Sequence, residues 1–275
     1  MGYKNKVNKQ GLTEEEFLKN YNNEKYEKPS VTADILIFTV FDDKKSIDSN
    51  LPHKSLRLLM IKRGDHPCIG QWALPGGFVN MDESVDDAAR RELKEETDID
   101  DIYLEQLYTW GDPGRDPRTR IISTSYISLA DSSQLAVKAG DDADDAMWFD
   151  VSYKLSGESR ENTEYGYIYK VSYELALSNG EEKLTANVIN IKEKTAKGLK
   201  VKREIENVDG IAFDHAKIIS YGVEWLRDKA VNTDIVFNLM PQEFILSDLQ
   251  KTYECILDKE LTETDFKSKL IKMVK

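Results

Sequence analysis

The sequence predicts an α/β fold carrying an antiparallel β insertion and a small helical unit toward its C-terminal end. Three observations predict it. Strand-like apolar runs are mixed with one amphipathic helix as far as residue 151. Between Ser152 and Asn207, alternating apolar and polar residues flank Ser178-Asn179-Gly180, a hairpin signal. From Phe213 the apolar spacing returns to that of a helix, and short segments with capping residues follow. At 275 residues and 40% apolar content, the chain can bury a real core in one large domain or two.

The elements follow in order. Thr13–Asn20 starts as a capped helix, with Glu16 three residues after Thr13. Pro29 and Ser30 open the β-rich run Val31–Phe41, and Asp42–His53 is polar and turn-like. Leu56–Lys62 reads as a strand, and Arg63–Gln71 as a loop into Trp72-Ala73-Leu74-Pro75. After a helix within residues 77–99, Ile102–Tyr108 and Ile121–Leu129 are strands separated by the loop Trp110–Arg120. Ala146–Val151 is the last core strand. The insertion then contributes Tyr167–Leu177, Lys183–Ile191 and Leu199–Ile205; a dimer contact, a lid and passive elaboration all fit it. Phe213–Lys229 is helical, and Asp234–Met240 is stopped by Pro241. Capping boxes at Ser247/Gln250 and Thr262/Asp265 mark two more short helices, an arrangement like a helix-turn-helix.

Composition excludes several classes. A net charge of −12 argues against a protein that coats nucleic acid. Cys68 and Cys255 give no disulfide framework, and His53, His66 and His215 lack metal-ligand spacing. The N-terminus is polar and charged, and no apolar run approaches bilayer length, so a cytoplasmic protein without membrane contact is expected.

The chemistry concentrates in Gly77–Ile99, GFVNMDESVDDAARRELKEETDI, where Glu92, Glu95 and Glu96 share one helical turn. Like charges four residues apart cost a helix roughly 0.2–0.5 kcal/mol, and these also crowd the negative end of its dipole. At 100° per residue, Glu92 and Glu96 align with Val85 and Ala89 on the inward stripe. Asp86, Asp87, Arg90, Lys94 and Thr97 fall on the solvated side. Inward carboxylates of this kind call for a hard cation, Mg²⁺ or Mn²⁺.

The segment resembles the Nudix box, G-x5-E-x7-R-E-U-x-E-E-x-G-U with U aliphatic. Gly77, Glu83, Arg91, Glu92, Leu93, Glu95, Glu96 and Ile99 match, while Asp98 stands where the pattern has glycine. A left-handed helix end is expected there, which Asp tolerates better than most residues. The resemblance implies a Nudix α/β/α sandwich with a mixed sheet, hydrolysing a nucleoside-linked pyrophosphate. It implies Glu92, Glu95 and Glu96 as metal ligands, with Gly76 and Gly77 presenting backbone to the metal. Arg91 would orient Glu95, and Glu83 would assist near the metals.

The likeness extends to Lys28–Asp34, Lys62–Pro67, Trp72–Phe78 and Gly111–Arg118. It resembles a branch that joins an ADP-ribose-type Nudix domain to a C-terminal winged helix and includes repressors of NAD metabolism. On that reading residues 1–30 form a helical arm and 31–230 the Nudix domain. The box then spans 77–99, the insertion about 152–208, and a winged-helix-like unit 231–275. Substrate-binding candidates are Arg63, Phe78, Tyr108, Trp110, Arg115, Arg118 and Arg120, the arginines because guanidinium pairs bidentately with oxyanions. A well-formed turn rich in Asp, Pro and Gly explains the 110–120 loop equally well. Asp142 and Asp144, in the acidic run before Met147-Trp148-Phe149, resemble the place of a further ligand or general base, although a solvated loop accounts for them better.

Two classes of function remain: a metal-dependent hydrolase of ADP-ribose or a similar nucleotide-sugar, and an ADP-ribose-sensing DNA-binding regulator. The complete carboxylate set favours the first. Residues 211–275 hold eleven acids against nine Lys and Arg, and the sequence stops at Lys275, where similar proteins continue into a basic wing. A degenerate or truncated winged helix is therefore expected, with DNA the less favoured partner. Lys267, Lys269, Lys272 and Lys275 would give it a modest phosphate footing. A homodimer is the expected assembly.

Overall fold

The computed structural model describes residues 6–43, 53–99, 102–135 and 146–273. Five helices and ten strands are found among them: α1 (Glu14–Lys19), β1 (Ser30–Asp43), β2 (His53–Lys62), β3 (Trp72–Ala73), β4 (Gly76–Phe78), α2 (Val85–Thr97), β5 (Tyr103–Trp110), β6 (Ile121–Leu129), β7 (Ala146–Thr163), β8 (Gly166–Ser178), β9 (Lys183–Thr195), β10 (Gly198–Asp209), α3 (His215–Asn232), α4 (Leu246–Leu257) and α5 (Glu263–Met273). The strands form one mixed sheet in the order β10-β9-β8-β7-β2-β1-β6-β5, with β3 added to β2 and β4 to β1. Only β1 and β6 run parallel among these pairs; the rest are antiparallel.

Strand β1 explains the layering. Its side chains alternate between the two faces of the sheet. Ala33, Ile35 and Ile37 meet Ala88, Ala89 and Leu93 of α2, whereas Leu36, Phe38 and Val40 join the core beneath α3. A strand apolar on both faces must be covered on both, and α2 and α3 supply the covers. Helix α3 comes close: a Cβ on Gly222 would overlap Leu36. The expected α/β/α arrangement is therefore present.

The insertion is continuous with the core. β7 pairs with β2 over Ala146–Asp150, then runs on to Thr163 against β8. The strand expected to end at Val151 is thus the insertion's first strand as well. Ser156-Gly157 does not end it, because the register shift between Leu155 and Gly157 is absorbed as a bulge.

The last helices share the α3-side core. Leu249, Tyr253, Ile256 and Phe266 belong to the same buried cluster as Leu56, Leu58 and Leu226. Arg227 of α3 fastens α4 by donating from Nε to the Ile256 carbonyl at 3.0 Å, and from Nη1 to the Tyr153 carbonyl at 3.0 Å. Residues 235–239 form a 3-10 helix. The capping box expected at Ser247 is absent, because α4 already begins at Leu246 with Ile245 before it and no side-chain cap. The Thr262 cap on Asp265 is present at 3.1 Å. No helix of the described residues is long and apolar enough to cross a membrane.

Candidate active site

Helix α2 is set by its ends. Ser84 accepts from the Asp87 backbone at 3.1 Å and Asp87 reciprocates, a capping box at the N-terminus. At the other end Asp98 has φ 60 and ψ 22, the left-handed conformation expected where the box has glycine. Between them Ala88, Ala89 and Leu93 are buried, which turns the acidic end toward β4 and β1.

The three glutamates differ in setting. Glu92 is 9% exposed, Glu96 is intermediate, and Glu95 is exposed. Thr97 was expected on the solvated side but is buried, its hydroxyl donating to the Leu93 carbonyl at 2.7 Å. That bond satisfies the hydroxyl inside the last helical turn and lets the methyl pack. Burial, together with the charges of Glu92 and Glu95, pushes the Glu96 carboxyl above its ordinary range. Three carboxylates thus crowd the acidic end of α2, and Glu96 feels the other two.

Arg91 organises the cluster. It grips Glu83 with Nη2 at 2.9 Å and Nε at 3.2 Å, and donates from Nη1 to Glu92 at 2.6 Å. It also reaches the Phe78 carbonyl at 3.2 Å. Its contact with Glu95 is only 3.5 Å, so Glu83 and Glu92, rather than Glu95, are its main partners. The guanidinium and the Asn80 backbone hold the Glu83 carboxyl down to about 2. Gly77 completes the arrangement, since a Cβ there would overlap the Glu92 carboxylate.

Glu92, Glu95 and Glu96 are expected to share divalent ions, and here their carboxylates do not converge. Among the described residues no three Asp, Glu, His or Cys side chains converge closely enough to hold an ion. The reason is visible in the partners: Glu92 is turned onto Arg91, and Glu95 points to solvent. The donor chemistry still fits a hard cation. Three carboxylates sit within two turns of one helix, beside a glycine backbone, with Glu96 destabilised as an anion.

Beside the box lies a cavity of about 170 Å³, lined in part by Gly76, Gly77, Phe78, Arg63, Arg115 and Arg118. Arg118 lies over Phe78 and Phe213 at 5.5 and 5.7 Å, and Arg63 over Phe213 at 4.8 Å. Arg118 is also forked onto Asp116, at 3.0 and 2.7 Å. Arg115 is committed to Asp214, at 3.0 and 2.8 Å, with Asp34 at 3.6 Å. His215 is buried and accepts the Leu74 N–H at 2.8 Å; burial pushes its pKa down and keeps the ring neutral.

The remaining predicted residues lie elsewhere. Tyr108 and Trp110 do not line the box-side cavity. They cluster with Tyr221 on the α3 side, where Trp110 donates to Ser125 at 2.8 Å. Arg120 is occupied with the Gly111 and Asp112 carbonyls, at 2.7 and 3.2 Å. Asp142 and Asp144 fall outside the described residues. Sequence reasoning missed Asp34, Asp214 and His215. Asp34 did carry a signal, as the lone acid in the apolar run Ala33–Phe41.

Residues 33–169 match the NUDIX domain model. That stretch of the chain is a Nudix domain. Residues 236–274 match the NrtR DNA-binding winged helix domain. The chain is 28% identical over 261 residues to an ADPR responsive transcriptional repressor, NtrR, of Acinetobacter baylyi, covering 94% of this chain and 79% of that one. It is 42% identical over 99 residues to an ADP-ribose pyrophosphatase of Methanocaldococcus jannaschii, covering 36% of this chain and 57% of the relative. The crystal structure of a MutT/nudix family protein from Enterococcus faecalis superposes with a TM-score of 0.66 at 27% identity, over 96% of this chain and 89% of that one.

Proposed function

We propose that this Nudix protein is a Mg²⁺- or Mn²⁺-dependent pyrophosphohydrolase acting on ADP-ribose or a similar nucleoside-diphosphate-linked compound. The observation that carries the reading is the complete acidic set, Glu92, Glu95 and Glu96, braced by Arg91 and Glu83 beside a cavity lined with arginines. Likeness to an ADP-ribose pyrophosphatase supports it.

In this reading Glu92, Glu95 and Glu96 would hold divalent ions, with the Gly76-Gly77 backbone alongside. Such ions neutralise a diphosphate and lower the pKa of a bound water. The chain's residues do the rest. Arg91 and Glu83 fix the direction of Glu92, and Gly77 leaves room for it. Arg63 and Arg118 bind diphosphate oxygens, while Phe78 offers a ring to the substrate. Arg115 acts through Asp214 and Asp34 by holding the cavity wall. Asp142 and Asp144 are the candidates for a general base. The deciding experiment is a Mg²⁺-dependent turnover panel of ADP-ribose, NADH, diadenosine polyphosphates and nucleoside triphosphates. ADP-ribose should be split into two phosphorylated products, and no turnover of any of the four would remove the hydrolase assignment.

A second reading has its own support. The match to a DNA-binding winged helix and the likeness to an ADPR responsive repressor over most of the chain favour a cytoplasmic, ligand-responsive regulator. A homodimer would present two such helices to paired half-sites. Gel shift with promoter fragments at physiological salt, with and without ADP-ribose, tests it: retardation that ADP-ribose changes supports the regulator, and no specific retardation retires it.

A further inference from the structure

A second cavity, about 780 Å³, opens between the end of β5, strands β8–β10 and α3. Its volume lies within the range of about 300–1,000 Å³ that takes small organic ligands. It shares no lining residue with the box-side cavity. The wall between them is the loop after β5, pinned to the start of α3 by two ion pairs. Lys217 holds Asp112 at 2.5 Å on one side, and Arg115 holds Asp214 at 2.8 Å on the other.

The lining has two chemical ends. One is aromatic: Tyr108 meets Trp110 at 4.7 Å and Tyr221 at 5.3 Å, and 48% of Tyr108 is exposed. The other is cationic, with Lys192, Lys202, Arg203 and Lys217 facing Asp112 and Glu224. Lys217, Lys202 and Arg203 are paired with Asp112, Glu204 and Glu224. Lys192 is exposed and has no carboxylate partner among the described residues.

We propose that this cavity is a second small-molecule site, separate from the box, that takes a nucleoside phosphate. The base stacks on Tyr108, and the phosphate is held by Lys192 with help from Lys202. Stacking on an exposed ring tolerates any base, and ammonium groups are standard phosphate partners. Strands β9 and β10 gain a purpose on this view, because Lys192, Lys202 and Arg203 supply most of the cationic wall.

The test uses the full chain and AMP as probe. Equilibrium dialysis would compare the wild type with Lys192→Glu, an exposed charge reversal, and with Arg118→Ala, which disables the box-side cavity. The site predicts saturable AMP binding that survives Arg118→Ala and weakens about tenfold or more in Lys192→Glu, the loss expected for a charged hydrogen bond to phosphate. Photolabelling with 8-azido-AMP should mark peptides containing Tyr108 or Tyr221. Turnover of ADP-ribose without AMP should stay unchanged in Lys192→Glu, which separates this site from the hydrolase assignment. No saturable binding at millimolar AMP would overturn the proposal. So would binding that Arg118→Ala abolishes and Lys192→Glu leaves intact.

Discussion

The two faces of the sheet are built for different purposes. Under α2 the buried cluster is the smaller of the two: Ala88, Ala89 and Leu93 pack on Ala33, Ile35 and Ile37, with Leu59 and Tyr126 beside them. Under α3 the core is deep and reaches through α4 to Phe266 of α5. The thin face leaves the last turns of α2 free to carry charge that folding alone would not select. The thick face supplies the stability that lets it do so. Chemistry and cohesion are thereby separated, and substitutions on the two faces should fail in different ways.

Leu226→Ala, fully buried on the thick face, should cost about 2–5 kcal/mol of stability through the cavity it leaves. Turnover per folded molecule should not change. A urea titration paired with an activity assay below the transition reads both, and a loss of rate without a loss of stability would break the contrast. Gly77→Ala should do the opposite. Its Cβ meets only the carboxylate end of Glu92 and no backbone atom, so the melting temperature should move little beside the loss of turnover. Turnover should fall about a hundredfold, close to 2.7 kcal/mol of barrier. Equal damage to stability would show that Glu92 cannot yield.

Acid sharpens the comparison at the seam between the faces. Burial depresses the His215 pKa, with Arg115 and Arg63 adding to it and Asp34 and Asp214 opposing. The unfolded ring titrates near about 6.5. A depressed folded pKa gives stability that is complete above that value and drains away as pH falls below it. Urea midpoints should therefore drop between pH 7.5 and 5, and His215→Asn should flatten that drop. The smallest effect belongs to Asp98. A left-handed L-residue costs roughly 1–2 kcal/mol, less for Asp, so Asp98→Gly should gain up to about 1 kcal/mol with turnover intact.

The sequence was most legible where one period governs. The alternation of β1, the length of α2, its inward acids and the left-handed Asp98 all follow from spacing and local sterics. Thr97 did not, because an ideal wheel ignores the hydroxyl's bond back to Leu93. The end of β7 was also hidden: core strand and insertion are one uninterrupted strand, so composition marks no boundary. Ser247 looked like a cap, yet α4 begins one residue earlier without one. At the site, Arg63, Phe78, Arg115 and Arg118 line one cavity. Tyr108 and Trp110 do not, since nearness in sequence cannot say which face of a sheet a ring will join. Asp214 and His215 enter the site from a helix some 120 residues beyond the box, a distance that only the fold closes.

The most direct measurement is the Mg²⁺-dependent rate of ADP-ribose hydrolysis in Glu95→Gln and Glu96→Gln beside the wild type, with melting curves for all three. The account predicts rates reduced about a hundredfold or more, the scale of losing a metal-held electrostatic contact, in proteins that melt as the wild type does. Undiminished rates in both variants would contradict it.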